Sequence, residues 1–350
     1  MFHLAMAKGN KALLVDLLKA TSRSFYLTLR ILPAQVRPQI SIAYLLARTT
    51  DTIADTELLP VTQRLNALHQ LRERIFGHSS KHLDFGELAQ HQGLPAEKVL
   101  LERADDSVAL LKTLSSADLK LVREVLGTIM GGQEMDLSRF AKASAEKIIA
   151  LETAADLDDY TYRVAGCVGS FWTKICRAHL FPKVRLDKEQ FLLDGIRFGK
   201  GLQLVNILRD LPEDLKKGRC YLPMDKLERA GLFPGVLLSM GGEKKFLPLY
   251  HEYLDKAESH LAAGWNYTNT IPSGQVRVRL ACAWPILIGM RTIEKLRDVN
   301  VIELKQRVKV PRKEIKGILL GSLWRYPVPA LWRKQFLTGR KAVASGAKLA

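Results

Sequence analysis

Two segments of the chain each carry a row of polar side chains within an otherwise apolar sequence. In the first segment the row consists of Tyr44, Arg48, Asp51 and Asp55, which are spaced at i, i+4, i+7 and i+11. That spacing places all four along one face of an α-helix. Two carboxylates one turn apart amid isoleucine, leucine and alanine are costly to bury unless a cation joins them. The row therefore indicates a site for a hard, oxygen-seeking cation such as Mg²⁺.

The second segment repeats this spacing near the middle of the chain. Its row consists of Gly199, Gln203, Asn206 and Asp210, and it is extended by Glu213 and Asp214. A single acidic pair at i, i+4 is most often a solvated helix face. Here each row also contains an arginine, Arg48 in the first and Arg209 in the second. Two such rows facing one another would form a box of carboxylates suited to a diphosphate held by several metal ions.

The composition and the periodicity predict a large helical domain. The chain has 350 residues, 47% of them hydrophobic, which is ample for a sizeable core. Strand signals are scarce, and glycine and proline cluster between the periodic segments. The segments with helical periodicity are 11–30, 38–56, 118–139, 160–180, 189–210 and 275–298. We therefore predict a single all-α domain.

The cysteines and the apolar stretches indicate a cytoplasmic protein. The four cysteines are widely spaced and form no CxxC pair, which predicts buried thiols in a reducing compartment. The N-terminal stretch is interrupted by Lys8, Asn10, Lys11 and Asp16, so it lacks the apolar core of a signal peptide. No stretch is long and apolar enough to predict a transmembrane helix.

The positive charge of the chain is concentrated at its C-terminal end. The formal net charge is +17, and residues 301–350 contain 12 Lys or Arg but only two acids. Such an excess predicts an anionic partner. The aromatic residues Trp324, Tyr326, Trp332 and Phe336 alternate there with Arg325, Arg333 and Lys334. This mixture favours peripheral contact with a membrane surface over nucleic-acid binding. A solvated tail with a few docked aromatics is the alternative. We predict a domain over 1–320 and a basic, aromatic tail over 321–350.

Several further motifs, in the same order along the chain, carry a resemblance to a known family. These segments are SRSFYLTLRILP (Ser22 to Pro33), DTIAD (Asp51 to Asp55), YTYRVAGCVGSFW (Tyr160 to Trp172), NILRDLPED (Asn206 to Asp214), KKGRCYLP (Lys216 to Pro223) and VKVPRKEIKG (Val308 to Gly317). Together they resemble the squalene/phytoene synthase family of head-to-head prenyl synthases, over about residues 20 to 320. The resemblance implies an all-α bundle of the trans-prenyltransferase type around a central cavity.

The resemblance also implies roles for the charged residues. Asp51, Asp55, Asp210 and Asp214 resemble the aspartates of the family that bind Mg²⁺, for which Mn²⁺ could substitute. The residues that resemble the arginines holding the diphosphates are Arg23, Arg48, Arg209 and Arg219, and Ser22 and Glu213 are further residues expected to bind the substrate. Squalene synthases often have a glutamate where this chain has Ala54, so one metal contact is missing. Pro212 lies inside the second motif, where we expect it to kink or end the helix.

The remaining positions match the reacting part of the family's site. Tyr44 and Tyr160 resemble tyrosines near the reacting carbons, and Tyr160 is the candidate base. The residues that match the walls of the prenyl channels are Phe25, Val164, Ala165, Val168 and Gly169. Gln203 and Asn206 match polar residues of the second acidic helix. Close helix–helix packing is an equal explanation for the small residues, and a core position is the alternative for Tyr44.

Within the family the chain resembles squalene synthases most. The cluster around Lys309 and Arg312 matches a contact to the phosphates of NADPH, although Pro311 is inserted. The expected activity is Mg²⁺-dependent condensation of two farnesyl diphosphates to presqualene diphosphate, followed by reduction to squalene. Synthesis of presqualene diphosphate, dehydrosqualene or phytoene remains an alternative. So does a non-catalytic helical protein that binds prenyl lipids or membranes. Charge alone prompts a nucleic-acid-binding alternative, which we do not expect, and no obligate protein partner is evident.

Overall fold

The structure is a computed structural model, which describes residues 16–21, 25–237, 243–301 and 307–336. In the first half of the chain the helices are α1 (Phe25–Ile31), α2 (Arg37–Ala54), α3 (Val61–Phe76), α4 (Gly86–Gln90), α5 (Pro95–Glu102), α6 (Ala104–Ala109) and α7 (Ser116–Arg139). In the second half they are α8 (Ala154–Thr161), α9 (Cys167–Leu180), α10 (Lys188–Lys216), α11 (Met224–Arg229), α12 (Glu243–Thr270), α13 (Val276–Arg297) and α14 (Arg312–Arg325). The predicted all-α class is therefore confirmed.

Short non-α elements connect some of these helices. Two 3-10 turns cover Leu110–Thr113 and Pro234–Val236, and a π-helical turn, Tyr162–Gly166, joins α8 to α9. Two short parallel strands, β1 (Ile149–Leu151) and β2 (Arg219–Pro223), pair with each other.

The chain falls into two compact units, and the domain bounds expected from the sequence stay a prediction. The first comprises Met1–Ala141 and Phe171–Lys183, and the second comprises Lys142–Ser170 and Val184–Ala350. Each predicted acidic row lies wholly within one unit: the first row on α2 and its C-cap in the first unit, and the second row on α10 in the second.

In the first unit α2 is the helix that carries the acidic row. It packs against α3 and α7, and Leu45, Leu46 and Ile53 on its inner face are fully buried. The helix α7 begins where the Ser115 hydroxyl accepts a hydrogen bond from the backbone N–H of Asp118 at 3.1 Å, which satisfies one free donor of the first turn. The apolar face of α2 thus fixes the direction of its polar face.

In the second unit α10 is the central element. Asp187 caps its first turn by accepting hydrogen bonds from the N–H groups of Glu189 and Gln190, and the helix packs along α12. Pro212 is buried inside α10, and the helix continues past it to Lys216. Of the two expected effects of Pro212, an end of the helix is thus wrong and a kink stays a prediction, and the acidic row from Gln203 to Asp214 lies on one helix.

The strands β1 and β2 fix the chain that follows α10. Ile149 pairs with Arg219, and the backbone between α10 and β2 turns at Gly218 with φ of 79°. A Cβ at Gly218 would lie 2.3 Å from the carbonyl oxygen of Ser144, so only glycine fits this turn. The turn therefore determines where Arg219 lies relative to the end of α10.

The C-terminal part of the described chain packs against earlier helices of the same second unit. Trp332 and Phe336 are buried and stack on Trp265, with centroids 5.2 and 5.9 Å away. The Trp284 indole donates a hydrogen bond to the Ser322 hydroxyl at 2.8 Å. The predicted boundary between the domain and the tail, at residue 320, stays a prediction. The contacts of Ser322, Trp332 and Phe336 all lie on the C-terminal side of it.

Two predictions about the whole chain can be compared with the described residues. All four cysteines are buried and none of them forms a disulfide, as expected. None of the helices in the described part of the chain has the length and apolar character needed to span a bilayer.

Candidate active site

The first acidic row lies along α2 as its spacing predicts. Tyr44, Arg48 and Asp51 are half-buried, whereas Asp55 is exposed at the C-cap of the helix. The backbone N–H of Asp55 donates to the carbonyl of Asp51 at 2.8 Å, so the helical spacing is kept to the last residue of the row. The two carboxylates are therefore one turn apart at the end of the helix.

The Asp51 carboxylate is bound by a side chain from α7. Gln133 Nε2 donates a hydrogen bond to Asp51 Oδ1 at 2.5 Å. Burial, and then the charge of Asp55, raise the pKa of Asp51 to about 7, although Arg48 and Gln133 act in the opposite direction. A carboxyl with this pKa is held in an environment that disfavours its own negative charge. A cation bound beside Asp51 and Asp55 would relieve that cost.

Arg48 lies between the acidic row and a carboxylate on α5. Its guanidinium forms an ion pair with Glu97, and its Nε is buried without a partner among the described residues. Burial lowers the pKa of Arg48, but the charges of Asp51 and Glu97 outweigh this effect and raise it above the ordinary value. Arg48 is therefore a fixed positive charge beside the acidic row.

In the second row, on α10, two acidic side chains form ion pairs with arginines. Arg209 donates two hydrogen bonds to Asp210, from Nε to Oδ1 at 2.7 Å and from Nη2 to Oδ2 at 2.8 Å. Arg307 Nε also lies 2.7 Å from Asp210 Oδ1, and its Nη2 lies 2.8 Å from Glu213 Oε2. Two guanidinium groups thus neutralise Asp210, and a metal ion at this carboxylate would have to compete with them.

The other predicted residues of the second row differ in exposure. Gln203 and Asp214 are half-buried, Asn206 and Glu213 are exposed, and Arg219 is half-buried on β2. Burial, with a smaller effect from the charge of Asp214, raises the pKa of the Cys220 thiol to about 12. Cys220 therefore stays protonated and takes no part as a nucleophile.

Tyr160, the candidate base, is buried near the end of α8. Its ring stacks on Tyr221 of β2 with centroids 4.8 Å apart and an interplanar angle of 22°. The helix is fixed at its start by a capping box between Thr153 and Asp156. The two elements that hold this ring are thus a capped helix and a paired strand.

The predicted channel residues lie around the π-helical turn. Val164 and Ala165 are half-buried, and Val168 is 38% exposed. A Cβ on Gly169 would lie 1.9 Å from the carbonyl oxygen of Gly195, and one on Gly199 would lie 2.2 Å from that of Ala165. Gly169 therefore serves a close contact with α10, which is the packing explanation that the sequence left open.

Some predicted residues are not placed by the structure. Ser22 and Arg23 lie outside the described residues, and the side chain of Phe25 is not described. Lys309 and Arg312 are exposed, with Arg312 as the first residue of α14. Their predicted contact with NADPH stays a prediction.

Four residues that contact the predicted site were not identified from the sequence: Glu97, Gln133, Tyr221 and Arg307. Gln133 lies in MGGQEMD, where Gln133, Glu134 and Asp136 are polar residues within a helical segment, and this signal could have pointed to α7. Glu97 and Arg307 lie 49 and 97 residues from the charges that they pair with, so no local spacing reveals them.

The acidic pair on α2 fits a magnesium ion. Mg²⁺ is usually held by one or two carboxylates together with substrate phosphates, rather than by a complete protein cage. Asp51 and Asp55 supply such a pair, and burial, followed by the charge of Asp55, raises the pKa of Asp51. Within the described ranges no group of three or more His, Cys, Asp or Glu residues could hold a metal without other ligands.

Comparison with known proteins agrees with these observations. The family model described as "Squalene/phytoene synthase" matches residues 18–314. A curated presqualene diphosphate synthase of Zymomonas mobilis is 28% identical over 87% of this chain and 88% of that protein. A bifunctional lycopene cyclase/phytoene synthase of Phaeosphaeria nodorum is 29% identical over 81% of this chain and 48% of that protein, so the chain spans about half of it.

A solved structure has the same fold. The complex of TcSQS with the ligand BPH1237 superposes with a TM-score of 0.75 at 22% identity, over 95% of this chain and 91% of that one. At that identity the likeness concerns the fold. The family match, in contrast, covers most of the chain and includes both acidic rows. The chain belongs to the squalene/phytoene synthase family of prenyltransferases, which join two prenyl diphosphates head to head.

Proposed function

We propose that this protein condenses two molecules of farnesyl diphosphate and releases presqualene diphosphate. The observation that carries the proposal is the α2 row, in which Asp51 and Asp55 form a crowded acidic pair and Arg48 presents a fixed cation. The choice of product is supported by the likeness to a presqualene diphosphate synthase along nearly the whole length of both chains.

The charged residues act on the diphosphates. When bound, Mg²⁺ would supply positive charge to the leaving pyrophosphate. Asp51 and Asp55 would hold it in the first unit, and Asp210 and Asp214 in the second. Arg48, Arg209 and Arg219 bind the phosphate oxygens, for which a guanidinium group has a suitable two-pronged geometry. These cations stabilise the negative charge that develops as the allylic carbon–oxygen bond breaks.

The apolar residues act on the carbon chains. The allylic cation is attacked by the double bond of the second molecule, and loss of a proton then closes a cyclopropane ring that keeps one diphosphate. Tyr160, buried and stacked on Tyr221, is the candidate to accept this proton. Val164, Ala165 and Val168 would line the channel and keep water from the cation.

Reduction to squalene, which the sequence favoured, is not part of the proposed activity. The curated relatives described above are a presqualene diphosphate synthase and a bifunctional phytoene synthase. Lys309 and Arg312, the expected NADPH contacts, are both exposed. A protein that stops at presqualene diphosphate needs neither NADPH nor a site for it.

Phytoene synthesis from two geranylgeranyl diphosphates is the second candidate. It is favoured by the bifunctional relative, which is 29% identical over 81% of this chain. The first half of the chemistry is the same, so the acidic rows and the arginines would have the same roles. The two candidates differ in the length of the prenyl chain and in whether the second diphosphate also leaves.

The release of pyrophosphate distinguishes these reactions. Formation of presqualene diphosphate releases one pyrophosphate for every two substrate molecules, whereas formation of squalene, dehydrosqualene or phytoene releases two. We expect one pyrophosphate per pair of farnesyl diphosphates consumed, with Mg²⁺ and without NADPH. A ratio of two would overturn the proposed product, and no consumption of either prenyl diphosphate would favour a non-catalytic lipid-binding protein.

A further inference from the structure

The helix α14 has two apolar faces that point in different directions. Its inner face contains Ile315, Ile318, Leu319 and Ser322, which follow one another at i, i+3, i+4 and i+7. This face packs against α13, where Ser322 is fully buried and bonded to Trp284. A helix that only covered the core would be polar on its opposite side.

The opposite side of α14 is instead apolar at one end and basic at the other. Leu320 is 68% exposed, Leu323 48% and Trp324 69%. One to two turns earlier on the same side lie the exposed cations Lys313 and Lys316. We call these five residues, which occupy about a third of the helix circumference, the outer face of α14. Exposed apolar side chains grouped in this way mark an interaction surface.

We infer that the outer face of α14 docks the protein onto the surface of an anionic membrane. The arrangement combines apolar and aromatic side chains that can enter the boundary of the acyl chains with cations that can contact phosphate headgroups. Leu320 and Trp324 are one turn apart, so both can enter a bilayer at a similar depth. The inference is independent of which product the candidate active site releases.

This surface differs from the one that the sequence suggested. Of the four aromatic residues of the tail, Trp332 and Phe336 are buried against Trp265. Tyr326 donates its hydroxyl to the carbonyl of Ser273 at 2.6 Å. These three therefore anchor the end of the chain to the second unit, and Trp324 is the aromatic residue that is left to contact lipid.

The charge on α14 also favours a lipid surface. Glu314, the acidic residue of this helix, is held on the other side by Arg291 at 2.7 Å and Lys295 at 3.0 Å. Its negative charge is therefore neutralised within the second unit, and Lys313 and Lys316 give the outer face a net positive charge. An apolar protein partner would not require these cations.

Vesicle co-sedimentation of the full-length chain tests the inference. We expect binding to phosphatidylcholine vesicles that contain phosphatidylglycerol, weaker binding to phosphatidylcholine alone, and loss of binding in high salt. The double variants are Leu320→Ser with Trp324→Ser, and Lys313→Gln with Lys316→Gln. Each should weaken binding at least about tenfold, since one cation at an anionic surface contributes about fivefold in affinity.

Matched control variants test whether vesicle binding depends on the outer face of α14 or on any exposed apolar or basic side chain. Phe233→Ser removes an apolar side chain that is 58% exposed elsewhere in the second unit. Lys112→Gln with Lys120→Gln removes two exposed cations from the first unit. Both controls should bind vesicles as the unmodified protein does. All of these side chains are exposed, so the variants should fold normally.

Tryptophan fluorescence tests insertion directly. The chain has five tryptophans; Trp265, Trp284 and Trp332 are buried and Trp172 is half-buried. Brominated lipid should therefore quench the emission of Trp324, and Trp324→Phe should remove that quenching. Unchanged binding by both double variants would overturn the inference. So would loss of binding only on deletion of residues 337–350, or a change of oligomeric state in Leu320→Ser with Trp324→Ser without any vesicle binding by the unmodified protein.

Discussion

Arg307 forms an ion pair with Asp210. Its Nε lies 2.7 Å from Asp210 Oδ1, the atom that also accepts a hydrogen bond from Arg209. The acidic residue expected to bind metal in the second row is thus already neutralised by two cations. Asp51 in the first row has a different environment, because burial and then the charge of Asp55 outweigh the effect of Arg48 and raise its pKa to about 7. The two rows, although matched in spacing, therefore differ in their readiness to accept Mg²⁺.

The first prediction concerns the competition between Arg307 and the metal. Arg307→Gln should lower the Mg²⁺ concentration needed for half-maximal turnover about threefold to tenfold, because one competing ion pair of about 1 kcal/mol is removed from Asp210. The measurement is the initial rate as a function of Mg²⁺ concentration. Arg229→Gln, which removes an exposed cation of the same unit, serves as the control. A higher Mg²⁺ requirement in Arg307→Gln would mean that Arg307 assists the metal-bound state.

The second prediction concerns Asp51. Asp51→Asn should reduce turnover more than about a hundredfold, or roughly 2.7 kcal/mol in the activation barrier, because it removes a metal-binding carboxylate. Asp106→Asn, at an exposed position paired with Arg103, should retain full turnover. Near-normal rates in Asp51→Asn would show that the α2 row does not hold a catalytic metal.

The same substitution should stabilise the metal-free protein in a pH-dependent way. The folded-state pKa of Asp51 is about 7 and lies above its ordinary value, so the folded state binds more protons than the unfolded state between these values. The contribution of Asp51 to the free energy of unfolding therefore falls as the pH rises towards 7. The melting temperature of Asp51→Asn should exceed that of the unmodified protein at pH 8, and the two should converge near pH 4. A destabilised variant at pH 8 would contradict this account.

The third prediction concerns Asp118, which is buried in the first unit. Gln39 Nε2 lies 3.1 Å from its Oδ2, and His179 Nε2 lies 2.8 Å from its Oδ1. Burial raises the pKa of Asp118, but the hydrogen bonds from His179 and Gln39 outweigh this effect and lower it below the ordinary value. The stabilisation is therefore present above the unfolded-state pKa and is lost as the pH falls through the folded-state pKa.

Asp118→Asn should accordingly destabilise the fold at pH 7 by about 1–3 kcal/mol. The difference from the unmodified protein should shrink as the pH is lowered below about 4. Urea unfolding at several pH values measures both effects. A constant difference at every pH would mean that the loss comes from packing rather than from the charge of Asp118.

The fourth prediction concerns the contact between the start of α9 and α10. Gly169→Ala would place a Cβ 1.9 Å from the carbonyl oxygen of Gly195, so the backbones must separate, at a cost of about 1–3 kcal/mol or more. Gly317→Ala is the matched control, because nothing lies within 4 Å of a Cβ there. That variant should be neutral or more stable by up to about 1 kcal/mol. Equal melting temperatures in the two variants would contradict the packing role of Gly169.

The polar rows could be predicted from the sequence because a helix converts spacing directly into geometry. Arg48, Asp51 and Asp55 recur at the helical period within an apolar segment, so their common face follows once the helix is assigned. The same reasoning found α7, α10 and α13. At Pro212, which we expected to kink or end the helix, α10 does not end, because proline removes one backbone donor but leaves the hydrogen bonds on either side of it.

Contacts between distant segments could not be predicted in this way. Gln133 contacts Asp51 because α7 packs beside α2, and Glu97 contacts Arg48 because α5 does. No local sequence pattern predicts that packing. The same is true of Arg307, whose pairing with Asp210 depends on the path of the chain after α13. The roles of the tail aromatics were also undetermined, since burial of Trp332 and exposure of Trp324 depend on which face of each helix meets the second unit.

The most direct test of the account is the identity of the product. The purified full-length protein is incubated with farnesyl diphosphate and Mg²⁺, with and without NADPH, and in parallel with geranylgeranyl diphosphate, and the products are identified by mass spectrometry. The account predicts that presqualene diphosphate accumulates from farnesyl diphosphate in equal amounts with and without NADPH, and that none forms when Mg²⁺ is chelated. Squalene that appears only with NADPH, or phytoene from geranylgeranyl diphosphate as the main product, would contradict it.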